Sequence, residues 1–158
     1  MGLVSRTRPR LGDIIEIATP KGLAYAQYTH KHEVRPRYGA LIRVAPGLFA
    51  KRPADFSWVA QVEPQFITFY PVGAACSRGM VTIVANEPLS PAAQGFPLFR
   101  SSIRAPEGRG PWWLWDGSKE WRIGELKHGM ERLPLRGVWN HAYLVARIAE
   151  EWRHEMDV

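Results

Sequence analysis

The clearest apolar patterning lies in residues 65–89, where Phe66, Ile67, Thr68, Phe69 and Tyr70 form one β-branched and aromatic run and Val81, Thr82, Ile83 and Val84 form another. Such runs suit a pleated, packed surface better than a helix. Residues 73–79 between them are small-residue-rich and read as a short helix. Seven residues exceed a two-residue hairpin loop, so the two strands need not be neighbours in the sheet. Upstream, Gly12-Asp13 precedes Ile14, Ile15 and Ile17 in a first strand, and a Thr-Pro-Lys-Gly turn leads into a second strand over 23–29. A third strand over 38–44 ends at Pro46-Gly47, and one helical turn is expected around 54–59. Residues 88–111, rich in proline and glycine, read as a long loop. Trp112 to Trp115 and Trp121 to Ile123 flank Asp116-Gly117, a strong hairpin signal.

The final element is a helix over 140–156, with Asn140 as N-cap and an apolar stripe of Leu144, Val145, Ile148, Ala149, Trp152 and Met156. The order predicts an α+β fold: a mostly antiparallel, strongly bent β-sheet, partly barrel-like with an SH3-like N-terminal part, and one C-terminal α-helix. Residues 1–10 read as a flexible basic leader and residues 11–158 as a single globular domain. A chain of this size buries about two-thirds of its unfolded surface and needs no disulfide or structural metal.

Charge sharpens this division. Residues 1–37 hold seven basic and three acidic side chains, net +4, and the remaining 121 hold fourteen and twelve, net +2. Arg6, Arg8 and Arg10 in the leader have two readings: a cationic arm for nucleic-acid phosphate, or a solvated terminus. The single cysteine, Cys76, cannot form an internal disulfide, and with no signal-like or membrane-length apolar run the expected location is the cytoplasm.

Catalytic motifs are not found: no phosphate-binding Gly-rich loop, no nucleophile elbow, no Cys-x-x-Cys and no His-Glu-x-x-His. Three weaker constellations stand. His30 and His32 share one face of a strand and can offer a metal two ligands, with Glu33 as a third; an exposed turn is the plainer reading. Cys76 lies among Ala74, Ala75 and Ser77, as a small residue at a tight spot does. Asp116 and Glu120 sit at the hairpin tip, where turn-making accounts for both. The expectation is therefore a chain without catalysis, cofactor or metal. Seven tryptophans stand out, four of them within 112–121. Strand alternation sets Trp113 and Trp115 on one face and Trp112 and Leu114 on the other, and one of these faces must pack on the core. With nearby arginines, Arg100, Arg104, Arg109, Trp113, Trp115 and Arg122 form the candidate partner-binding surface.

The succession Gly12-Asp13-Ile14-Ile15-Glu16-Ile17, then Gly22 to Gln27, then the segment ending Ile83-Val84-Ala85-Asn86-Glu87-Pro88-Leu89, then Phe96 to Arg100 and Trp113 to Gly117, resembles the immunity protein 26 family over residues 11–123. The resemblance implies a small cytoplasmic bacterial protein that binds and neutralises a toxin delivered by a neighbouring cell, without catalysis. The alternative reading is a nucleic-acid-binding small β-barrel module, motivated by the N-terminal strands and their basic turns.

Overall fold

The structure, a computed structural model, describes residues 6–158. Its strands are β1 (Asp13–Thr19), β2 (Gly22–His32), β3 (Gly39–Val44), β4 (Phe66–Phe69), β5 (Val81–Asn86), β6 (Phe99–Ser101), β7 (Arg104–Ala105), β8 (Gly108–Arg109), β9 (Trp112–Trp115) and β10 (Glu120–Gly124). Helices α1 (Ser57–Gln61), α2 (Val72–Ser77), α3 (Pro91–Gln94) and α4 (His141–Ala149) are short. The fold is α+β, as the pattern predicts. An open five-stranded antiparallel sheet has the order β4-β3-β2-β1-β5, and a second sheet has the order β10-β9-β6. The two strands on either side of the 73–79 segment lie at opposite edges of the large sheet. Register shifts opposite Ile14/Ile15 and at Tyr28/His30 leave one extra residue each, Val84 in β5 and Thr29 in β2, as β-bulges.

Alternation divides the large sheet into two packed faces. Ile15, Ile17, Ala24, Ala26, Ile42, Val44 and Phe66 face Leu144 and Ile148 of α4, together with Trp152 and α2. The opposite face is split. At one end Ile14, Tyr25 and Val84 meet Phe56 and Val59 beside α1, and at the other Leu41 and Phe69 meet Phe99 and Trp115 of the second sheet. Glu16 is buried beside the first of these clusters, where Tyr25 donates to it at 2.8 Å and Arg52 donates twice at 2.7 Å. The Arg52 fork holds the Glu16 carboxyl below its ordinary range against the cost of burial.

Two expectations change here. The 88–111 segment is not a bare loop: it contains α3, strand β6 and the β7–β8 hairpin. The final helix, expected over 140–156, ends at Ala149. Asn140 caps its start by accepting from the Tyr143 N–H at 2.8 Å. At its end Glu151 takes φ +56°, Glu151 N–H donates to Ile148 O and Trp152 N–H donates to Arg147 O. That is a Schellman closure with glutamate in the left-handed position that glycine usually fills. The reversed chain still returns Trp152 to the core at 5 % exposure, whereas Met156 is left exposed.

Residues 153–157 then run along the sheet edge. His154 is buried, and Leu135 N–H donates to its Nδ1 at 3.3 Å. That leaves Nε2–H to donate to Ile67 O on edge strand β4 at 3.0 Å. Trp139 N–H donates to Phe69 O, so both ends of this edge are covered. Burial drives the His154 pKa from 6.5 down to about 4.

Because the folded chain keeps His154 neutral and the unfolded chain protonates near 6.5, stability is fully present above that pH and falls as the pH drops towards 4. The loss is expected to total about 3 kcal/mol, and His154→Gln is expected to flatten urea-denaturation stability across that window; an unchanged slope in the variant refutes the assignment. Glu151→Gly is expected to stabilise the chain by about 1 kcal/mol in the same assay, by relieving the left-handed strain.

Candidate functional site

The second sheet carries all six residues of the candidate surface or lies next to them, and its register decides their fates. In β9, Trp113 stands opposite Ser101 on β6 and Arg122 on β10, while Trp115 stands opposite Phe99 and Glu120. Opposed residues share a face. Trp115 is interior, packed on Phe69, Phe99 and Tyr38, and the Arg136 guanidinium lies 4.3 Å over its ring. Arg136 also donates to the Tyr38 hydroxyl at 2.9 Å and to Glu120 at 2.6 Å. On the other face Trp112 and Leu114 are buried as well. Both faces of β9 are thus largely covered, and Trp113 remains half-exposed.

Arg100 is the larger departure from expectation. It is completely buried, so it is not available to a partner. Its Nε donates to Leu133 O at 3.0 Å, its Nη1 to Asp157 O at 2.7 Å, and its Nη2 to Glu131 O at 3.0 Å and His154 O at 2.5 Å. Burial pushes its pKa down, and Asp157 partly opposes that. Arg104 and Arg109 both donate to Asp157 Oδ1, at 2.8 and 2.6 Å. Arg100 and Arg109 also lie over the Trp112 ring, at 4.8 and 4.7 Å. Three of the four candidate arginines therefore bind the chain's own residues 153–157. The physical reason is reach: long guanidiniums on edge strand β6 and the β7–β8 hairpin meet the carbonyls and the Asp157 carboxylate of the segment packed beside them.

What remains outside is a smaller surface. Trp113 is 38 % exposed, Trp121 41 % and Ile103 80 %, and Arg122 is exposed. Trp121 stands opposite Leu114, so it and Trp113 project from opposite faces of the β9–β10 hairpin. The outer edge of β6 is covered by Arg100 N–H to Pro134 O and Arg136 N–H to Arg100 O. No strand pairs with the outer edge of β10 among the described residues. Trp121 belongs to this surface and was not among the six; the Asp-Gly turn that predicts the hairpin also places it opposite β9.

The other constellations have structural duties. His30 and His32 do share a face, both against the Phe96 ring. The His30 ring contacts Thr29 Oγ1 at 2.9 Å and Gln94 O at 3.0 Å. His32 accepts from Tyr38 N–H at Nδ1 and so donates from Nε2 to Gly117 O at 2.7 Å. Gly117 has φ +100°, and an added Cβ meets the Phe96 ring at 2.7 Å, which explains the glycine. Cys76 is buried, and burial raises its thiol pKa, so it is held as a thiol. Asp116 accepts from Ser118 N–H and Lys119 N–H at 2.9 and 2.7 Å and shapes the turn. Among the described residues no group of three or more His, Cys, Asp and Glu is arranged to hold a metal ion, and no helix is long and apolar enough to cross a membrane. Of the basic leader, residues 1–5 lie outside the described residues; Arg6 forks onto Asp13, to which Arg10 N–H also donates.

Comparison of this chain with protein-family models, with curated proteins and with solved structures gave no match.

Arg100→Met is expected to destabilise the chain by about 3–5 kcal/mol in urea denaturation, because four carbonyls lose their donor in a buried site. Arg104→Gln, at the exposed end of the same network, is expected to cost less than about 1 kcal/mol. Equal effects at the two positions would show that burial of the guanidinium is not what matters.

Proposed function

We propose that this chain is a non-catalytic binding protein of the immunity type, which holds a cognate toxin through its β9–β10 hairpin. The observation that carries the reading is the β9–β10 hairpin, which exposes Trp113 and Arg122 on one face and Trp121 on the other, and whose outer β10 edge pairs with no strand among the described residues. Tryptophan and arginine supply most of the energy in protein interfaces, and a rigid platform loses little entropy when it docks. The sheet is rigid because Trp112, Leu114 and Trp115 anchor it from both faces. The charge of +6 favours a partner with an acidic surface. Supporting the absence of catalysis, the buried Glu16, Arg100 and His154 are each taken up by partners within the fold.

The nucleic-acid alternative rests on the N-terminal strands with their basic turns and on the leader, of which Arg6 is already engaged by Asp13. The test is affinity capture with the product of a toxin gene adjacent to this one. Trp113→Ala combined with Trp121→Ala is expected to weaken capture at least about 100-fold while the urea midpoint changes little. Retention on nucleic acid that falls steeply with salt, without any protein partner, would favour the alternative and sink this reading.

A further inference from the structure

On the face of the large sheet that is split between two apolar clusters, a polar stripe runs across the strands. Gln27 on β2 stands opposite Arg43 on β3, which stands opposite Ile67 on β4. Gln27 is satisfied, donating to Gly12 O and Glu87 O. Arg43 has one long protein contact, 3.5 Å to Ala92 O, and among the described residues no carboxylate lies within 4.0 Å of it. Burial lowers its pKa, with Glu63 opposing from a distance. A part-buried cation without a counterion is costly to maintain.

A cavity of about 400 Å³ opens where this cation sits, and it is lined by Arg43, Arg132 and Arg153 together with Glu63 and Glu155. Arg153 has no ion pair among the described residues, and Arg132 reaches Glu155 only at 3.9 Å. Three guanidiniums against two carboxylates leave one positive charge uncompensated. The volume lies within the range of small-molecule sites, and the planar fork of arginine matches an oxyanion. We propose that this cavity is an oxyanion site in which Arg43, Arg132 and Arg153 hold the phosphate or carboxylate group of a small ligand. An occupant held by Arg43 and Arg153 ties residues 153–155 to strand β3 through a shared charge.

Inorganic phosphate, acetate and chloride, each titrated into the full chain at constant ionic strength and followed by backbone amide NMR, test this. Phosphate or acetate is expected to give saturable shifts confined to residues 65–67, 132–134 and 153–155, and the tighter of the two identifies the group. Arg43→Gln and Arg153→Gln are each expected to weaken binding about tenfold. Arg153 is exposed, so its variant reports even if Arg43→Gln does not fold. Shifts that never saturate, that chloride reproduces, or that persist unchanged in Arg153→Gln overturn the proposal.

Discussion

One buried guanidinium organises the second half of this chain. Arg100 sits on the short strand β6 with no exposed surface, and it is satisfied by four main-chain carbonyls from residues 131–157. Taking a charge out of water is unfavourable unless its donors are all engaged. Carbonyl dipoles do this without a second buried charge, and Asp157 supplies the nearest balancing carboxylate. The result is a clasp. Residues 131–135 and 153–157, far apart along the chain, are drawn to one point, and both become edge covers: Pro134 and Arg136 along β6, His154 along β4.

That clasp also shapes what the surface can offer. Arginines 100, 104 and 109 are close in sequence to a cluster of tryptophans, which is how an interface looks in a linear chain. In the fold they grip Asp157 and nearby carbonyls, and two of them cover Trp112. The surface left to a partner is the β9–β10 hairpin with Trp113, Trp121 and Arg122. The basic cavity at Arg43 lies elsewhere, against β4 and residues 153–155, so the two proposed sites share the clasp as a support and no side chain.

The α+β class, the three N-terminal strands, the separation of the 66–70 and 81–84 strands and the β9–β10 hairpin were legible in the chain. Each rests on a local rule: alternation on a pleated strand, the positive φ that glycine supplies, or the N-cap acceptor at Asn140. The shared face of Trp113 and Trp115 was legible for the same reason, but not that Trp115 is buried and Trp113 half-exposed.

Other features had no local signature. The helix end at Ala149 has no glycine or proline to mark it; Glu151 accepts a strained φ because Trp152, His154 and Asp157 gain partners when the chain turns there. Strand β6 is three residues of a segment that reads as loop, and it exists because β9 and Leu135 flank it. Arg100 looks like any surface arginine until the carbonyls around it are in place. Periodicity and turn chemistry act within a few residues, so the sequence alone determined the elements and their faces. Burial of a charge is a property of everything packed around it, so only the tertiary structure decided which arginines face inward and which remain for a partner.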